Sequence, residues 1–294
     1  MNITDLLRKL LGKTIYQIVF ENMQNCELCG FKNPKATVTA IIIKENRLLM
    51  LKREEEPFKG QWDLPGGYMQ EEESPQLAIM RELNEELGIT DFKSITPIGQ
   101  FYGNGYWKEA KFPILSHVFL VDFSGNIELN EENSEITWYP LKDLKSEEVA
   151  FDSNISIAQK AKELFTFDIE RVKELISQLD PNAQVNEQSL YQAVLNGYVS
   201  RKYDEEGKLV GMGWIFARQT TLRHQAVIED MIVDESQRGK GLGKEILQDL
   251  ADWAKNKGVE VIELTTNPKR IAAHLLYESF GFRIHPTDHM LMDL

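Results

Sequence analysis

Cysteine is scarce in this sequence: two residues among 294, at Cys26 and Cys29. A disulfide-stapled framework is thereby excluded, and Cys26-Glu27-Leu28-Cys29-Gly30 supplies only half of the four ligands that a closed tetrahedral zinc site needs. Three readings stay open: a half site, a site shared between two subunits, and a relic that binds nothing. The relic is preferred, so zinc is not expected there, while the shared site keeps a homodimer open. A redox dithiol fits less well, because the pair does not clearly begin a helix after a strand.

Long apolar runs are missing too. No stretch reaches the roughly 18 apolar residues that span a bilayer, and Met1 to Leu11 mixes acids and bases among its leucines, unlike a secretory signal. No membrane partner and a cytoplasmic location are expected. Positive charge is short as well: 33 basic against 46 acidic residues leave a net charge of −13. That balance opposes a long nucleic-acid backbone, and no basic and aromatic interleaving that would track a single strand is evident. Small phosphorylated ligands remain admissible where positive groups are concentrated locally.

What the sequence does contain is 42% apolar and 27% charged residues over a length suited to two domains. No proline-rich or glycine-rich linker separates them. The pattern predicts an N-terminal helix, strand and knuckle over residues 1–34, a first domain over 35–166 and a second over 167–294. In the first, Ala36 to Ile43 and Arg47 to Lys52 read as paired strands, and Trp62 to Gly67 as a strand end entering a glycine turn. A helix follows from Pro75 to Leu87 and stops at Gly88. Further strands are expected around Ile95 to Tyr102, Leu115 to Phe123 and Ile136 to Tyr139, and a closing helix over Ser153 to Phe165. In the second, helices over Ile169 to Leu179 and Glu187 to Leu195 precede a hairpin of Tyr198 to Tyr203 with Leu209 to Ala217. A strand over Val227 to Val233, a helix over Gly243 to Lys257, a strand over Val259 to Leu264 and a helix over Arg270 to Phe280 complete a mixed α/β layer.

The helix after Pro75 carries the first chemical pattern. At 100° per residue, Glu82, Glu85 and Glu86 share an arc of roughly 100°, and Ile79, Met80, Leu83 and Leu87 fill the adjoining arc. Neighbouring carboxylates repel unless a cation or proton intervenes, which points to Mg2+ or Mn2+ with hard oxygen ligands. Arg81 can fix a carboxylate by a bidentate pair, and Gly66 and Gly67 let backbone approach metal or phosphate.

Gly67, Glu73, Arg81-Glu82-Leu83, Glu85-Glu86 and Gly88-Ile89 together match the Nudix box without a mismatch. This half therefore resembles the Nudix hydrolases, and the resemblance implies an α/β/α sandwich with a mixed sheet that hydrolyses a nucleoside-diphosphate-linked small molecule. It implies Gly67, Glu82, Glu85 and Glu86 as metal ligands, with Glu85 or Glu86 holding the water or acting as its base. Glu135, ahead of Trp138-Tyr139, sits where many members place a further acidic residue, so it is a candidate catalytic group. Tyr102, Tyr106 and Trp107 read either as an aromatic wall for a base or sugar or as loop packing. Cys26 to Gly30 with Asn33-Pro34 is similar to the zinc-ribbon end of dinucleotide-cleaving members, but the ribbon is halved here.

The second pattern is Arg238-Gly239-Lys240-Gly241-Leu242-Gly243, between a strand and a helix start, where backbone N–H groups can converge on a pyrophosphate. It lacks the glycine spacing of the dinucleotide fingerprint and the Gly-Lys-Ser or Gly-Lys-Thr of a P-loop. Arg238, Gly241 and Gly243 resemble motif A of the GNAT acetyltransferases, with Ile228 to Asp234 similar to the splayed strand before it. Ala272 to Glu278, followed by Phe280-Gly281-Phe282, is similar to motif B. The resemblance implies a mostly antiparallel, splayed α/β sheet in which Ile232, Val233, Arg238 to Gly243 and His274 hold acetyl-CoA as cosubstrate. It also implies Tyr277 as proton donor to the departing thiolate, while Glu229 is the better base for an incoming amine, since strand alternation turns Asp230 to the opposite face. His274 departs from the asparagine of many relatives. The reading is a bifunctional enzyme with two small-molecule substrates, one nucleotide-linked and one an amine. The alternative is a Nudix hydrolase whose second domain only binds acyl-CoA or serves as a scaffold.

Overall fold

The computed structural model describes residues 33–107, 110–129, 133–286, 290 and 292. The Cys26–Cys29 knuckle and the helix and strand expected before it lie outside the described residues. The chain divides into two compact units, with the division between Thr166 and Phe167. Among the described residues, no helix is long and apolar enough to cross a membrane.

The first unit is built on two sheets. β1 (Lys35–Ile41) runs parallel to β7 (Ala110–Ser124) and antiparallel to β5 (Gly66–Tyr68), and β7 pairs in turn with β6 (Asp91–Trp107). The second sheet joins β2 (Ile43–Lys44), β3 (Arg47–Arg53) and β4 (Trp62–Asp63), and β8 (Asn133–Pro140) pairs with β3. Both β6 and β7 run well beyond the strands expected from the sequence, forming one long hairpin.

α1 (Pro75–Leu87) is fixed at both ends by its own residues: the Ser74 hydroxyl accepts from the Leu77 N–H, Pro75 opens the first turn, and Gly88 ends it at φ 66°. Such a cap is worth about 1 kcal/mol. Ala78, Ile79, Leu83 and Leu87 are buried and belong to one core with Val38, Ala40, Leu49, Leu51, Phe119 and Val121 from β1, β3 and β7. The expected inward position of Met80 is corrected: it is half-buried, and Ala78 joins Ile79, Leu83 and Leu87 on the buried face instead. α2 (Asp152–Phe165) follows β8 and buries Ile157, Ala158, Ala161 and Phe165.

In the second unit, α3 (Ile169–Leu179) and α4 (Glu187–Asn196) precede a four-stranded sheet in the order β12-β11-β10-β9. β9 (Gly197–Tyr203), β10 (Leu209–Gln219) and β11 (His224–Val233) are antiparallel neighbours, whereas β12 (Val261–Leu264) runs parallel to β11. The β11–β12 register covers Gln225 to Ile228, so β11 parts from β12 at Glu229. α5 (Leu242–Asn256) lays Ile246, Leu247, Leu250 and Ala254 on Ile215, Ala226 and Ile228, and α6 (Ile271–Ser279) adds Leu276 and Tyr277 to that core. The first unit thus has the mixed sheet, and the second the mostly antiparallel splayed sheet, that the two resemblances imply.

Because Leu83 is fully buried at the centre of the α1 packing face, Leu83→Ala should lower unfolding free energy by about 2–5 kcal/mol through lost transfer energy and a residual cavity. Urea denaturation of the purified variant measures this.

Candidate active sites

In the first unit, one arginine organises the glutamates. Arg81 holds Glu73 bidentately, Nε to Oε1 at 2.9 Å and Nη2 to Oε2 at 3.1 Å. Its Nη1 donates to Glu82 at 2.8 Å and to Glu85 at 3.0 Å, and Nη2 donates to the Tyr68 carbonyl at 3.0 Å. Charge-assisted bonds of this kind hold the Glu73 carboxyl below, and the Arg81 guanidinium above, their ordinary values. Burial pushes Glu82 above the usual carboxylate range. Glu86 instead accepts from the Gly66 N–H at 2.9 Å.

This arrangement changes the charge argument made from spacing alone. Among the described residues, no group of three His, Cys, Asp or Glu side chains stands together as a metal cluster, and the positive charge between Glu82 and Glu85 is that of Arg81. The donor chemistry nevertheless suits a hard divalent ion: a desolvated carboxylate at Glu82, with Glu86 and the Gly66-Gly67 backbone lining the same cleft of about 500 Å3. A Cβ on Gly67 would come within 2.6 Å of the Glu82 carboxylate.

Glu85, with a side chain 53% exposed, is not among the residues that line this cleft, nor is Glu135. Glu135 pairs with Lys52 at 2.9 Å across the β3–β8 register, so the structure leaves it apart from the Arg81 array. Tyr102 is 74% exposed, while Tyr106 packs edge-on against Phe58 at 5.4 Å and near Phe151 at 6.2 Å. The side chain of Trp107 is outside the described set.

The cleft continues into a smaller cavity of about 150 Å3 that shares Arg53, Asp63, Gly66, Gly67 and Tyr68 with it. Here Arg53 donates to Asp63 at 2.9 Å and stacks over Phe151 at 4.7 Å, and Asp63 also accepts from Asn154 at 2.5 Å and from the Leu64 N–H at 2.9 Å. Burial nevertheless pushes Asp63 above the usual carboxylate range. Thr37, 8% exposed, lines the same cavity with a hydroxyl that has no hydrogen-bond partner among the described residues. Sequence reading missed Arg53, Asp63, Asn154 and Thr37; the one available signal was Asp63 inside the Trp62 to Gly67 turn.

In the second unit, the loop after β11 is exposed from Glu235 to Gly241 apart from half-buried Gln237. Gly239 and Gly241 adopt φ of 80° and 88° with open space around them, so backbone conformation, not crowding, requires glycine there. Gly241 caps α5, directing the N–H groups of its first turn, Leu242 and Gly243 among them, into the loop. Arg238 bonds the Val233 carbonyl at 3.2 Å, and Lys240 bonds Gln237 at 2.7 Å.

β11 carries a bulge at this end. Met212 faces Ile232 and Trp214 faces Glu229, so three residue steps on β11 answer two on β10, and Asp230 takes φ 46°. Strict alternation, which would set Asp230 opposite Glu229, is interrupted there. Ile232 is buried and Val233 half-buried. Tyr277 extends from α6 to 3.9 Å from the Met231 sulfur, and burial raises its phenol above the ordinary value. His274 is half-buried, and its Nε2 is enclosed with no hydrogen-bond partner among the described residues.

The family model of the NUDIX domain matches residues 33–159, and that of the Acetyltransferase (GNAT) family matches residues 164–282. The chain is 32% identical to an ADP-ribose pyrophosphatase of Methanocaldococcus jannaschii over 145 residues, 49% of this chain and 82% of that protein. It is 40% identical to a glucosamine 6-phosphate N-acetyltransferase of Trypanosoma brucei brucei over 67 residues, 23% of this chain and 43% of that protein's length. A crystal structure of a MutT NUDIX hydrolase from Burkholderia pseudomallei is similar at 27% identity, covering 46% of this chain and 99% of that one, with a TM-score of 0.38.

The two glycines before α1 should respond differently to alanine. Gly66 lies at φ 142° with the Val38 carbonyl oxygen 2.1 Å from a would-be Cβ, so Gly66→Ala should lower Tm by several degrees. Gly67→Ala presses on a side chain that can move, and should cut hydrolysis at least tenfold with a smaller Tm change. Paired thermal melts and rate measurements separate the two.

Proposed function

Because the chain belongs to the Nudix family through its first half and carries a GNAT acetyltransferase domain in its second, we propose a bifunctional enzyme. One unit hydrolyses a diphosphate joined to a nucleoside and a small group, and the other transfers acetyl from acetyl-CoA to an amine. The observation that carries the hydrolase reading is the Arg81 array: Glu73, Glu82 and Glu85 held on one guanidinium beside the Gly66-Gly67 turn. The similarity to an ADP-ribose pyrophosphatase makes ADP-ribose and other nucleotide sugars the first substrates to try.

In this reading, Glu82, Glu85, Glu86 and the Gly67 carbonyl are the donors for Mg2+ or Mn2+, which when bound supplies Lewis acidity to the diphosphate oxygens. Arg81 stays protonated and orients carboxylates. Glu85, the most exposed of the three, accepts the proton of the attacking water as the new phosphorus–oxygen bond forms and the bridging bond breaks. The cavity of Thr37, Arg53 and Asp63 receives the group joined to the diphosphate, with Arg53 at the junction of the two spaces. Glu135 is kept as a secondary base that would first have to leave Lys52.

For the second unit, the diphosphate of acetyl-CoA lies on the backbone N–H groups of Arg238 to Gly243, flanked by Ile232, Val233 and His274. The amine nitrogen attacks the thioester carbonyl, the carbon–sulfur bond breaks, and the Tyr277 phenol gives its proton to the sulfur. Its raised value suits a donor that must arrive protonated. Glu229 takes the amine proton. A glucosamine 6-phosphate acetyltransferase is among the similar proteins, which supports an amino sugar as a first acceptor to assay.

Mass spectrometry of a nucleotide-sugar, dinucleotide and nucleoside-triphosphate panel with Mg2+ or Mn2+ tests the hydrolase. Absence of any diphosphate cleavage would overturn it. Glu85→Gln should lose at least a hundredfold in kcat with Tm within about 2 °C, since volume is retained and one proton acceptor is removed. Tyr277→Phe should lower acetyl-transfer kcat about tenfold or more while leaving CoA affinity unchanged, as read by thiol release and calorimetry.

A further inference from the structure

The loop from Arg238 to Gly243 has little side-chain packing of its own, with open space around Gly239 and Gly241. Its position therefore depends on how its two ends are held. One end is α5. The other is Asp234, whose N–H bonds the Val210 carbonyl at 2.9 Å and whose Oδ1 accepts from the Ser236 N–H at 2.9 Å and hydroxyl at 2.5 Å. These bonds close the short 3-10 turn Glu235–Gln237 that launches the loop.

Asp234 is in turn held by α3. Its Oδ2 pairs with Arg171, a guanidinium 6% exposed that also bonds the Leu209 carbonyl at 2.7 Å and Glu174 at 2.7 Å. Gln178, two turns further along α3, donates to Asp234 at 3.4 Å and accepts from the Glu235 N–H at 3.0 Å. The last residue of α3 reaches the other side of the site: the Leu179 carbonyl accepts from Arg270 at 3.1 Å, and Arg270 caps the helix that bears His274 and Tyr277. A buried ion pair is weak evidence for stability, since desolvation offsets most of its attraction, but it does fix geometry once formed.

We infer that Arg171, Gln178 and Asp234 are positioning residues through which α3 sets the pyrophosphate loop for acetyl-CoA. This rests on the reading that Arg238 to Gly243 receives the diphosphate. The bonds from Asp234 and Gln178 order the turn at Glu235 and Ser236, and the turn aims the N–H groups that follow. Loosening it therefore costs affinity for the diphosphate and leaves the pantetheine arm and Tyr277 chemistry intact.

The test uses the full chain and two probes, CoA and S-acetylpantetheine, which lacks the diphosphate. Calorimetry with CoA should show Kd raised about tenfold in Asp234→Asn and Gln178→Ala, about 1.4 kcal/mol. Ligand-observed NMR should show S-acetylpantetheine binding unchanged. Gln178 is half-buried on the helix surface, so Gln178→Ala keeps the test decisive if Asp234→Asn fails to fold. Unchanged CoA affinity in Gln178→Ala, or equal loss for both probes with the fold retained by circular dichroism, would overturn the inference. If the unaltered protein binds CoA no better than S-acetylpantetheine, the diphosphate reading of the loop itself fails, and the positioning role falls with it.

Discussion

A single guanidinium sets the form of the hydrolytic site. Arg81 stands on the same helix as Glu82 and Glu85 and reaches back to Glu73 and to the Tyr68 carbonyl, so one cation satisfies acceptors from the helix, its approach and β5. Without it, desolvated Glu82 would face like charge at Glu85 beside a cleft that Glu82 lines with further acids, Glu54, Glu55 and Glu86. Each such repulsion favours protonation, which would remove the very charge that a cation-binding site needs. Arginine suits this place better than lysine, because its planar fork can hold Glu73 bidentately while still donating to other acceptors.

The acetyltransferase half solves a related problem by other means. The anion site proposed for it is made of backbone, and backbone N–H groups act only when the chain is aimed correctly. Glycine permits the required φ at 239 and 241 but at the same time removes side chains that might have packed the loop in place. Order has to be imported, and the bonds between α3 and the Asp234 turn import it. The bulge at Asp230 belongs to the same region: β11 leaves β12 at Glu229 and shifts register against β10 between Met212 and Trp214, so the strand that feeds the loop stays paired with β10 alone through Ile232 and Val233.

How much of this was legible in the sequence follows the distance over which each feature is specified. α1 was readable because its opening proline, apolar arc, carboxylates and stop all lie between Pro75 and Gly88, where i, i+3 and i, i+4 relations are fixed by helix geometry. Even so, one member of the inward arc differs, since the sequence pattern favours the larger Met80 where the structure buries Ala78. Both sheets were anticipated as classes, but the β6–β7 hairpin was shortened because its outer residues, Gly103 to Gly105 among them, alternate weakly in hydrophobicity. The cavity of Thr37, Asp63 and Asn154 was invisible. Asn154 meets Asp63 across 91 positions, and no local period encodes such a meeting.

The bulge at Asp230 marks a different kind of limit. Alternation along a strand is a statement about regular pleating, and it assigns faces correctly up to Ile228. One additional residue then shifts every later side chain, so that Met231 and Val233 share the α5 side with Ile228. No glycine announces the break; an aspartate adopts the left-handed conformation instead, at a cost that the surrounding contacts must offset. The proposal of Glu229 over Asp230 as proton acceptor therefore rests on how each backbone is held and not on strand parity. Glu229 keeps a β-ladder partner in Trp214, which ties its backbone to β10, whereas Asp230 stands exposed at the bulge. In the proposed transfer, a base fixed by the ladder would be held at one depth in the sheet, and that constancy is the physical reason to prefer Glu229.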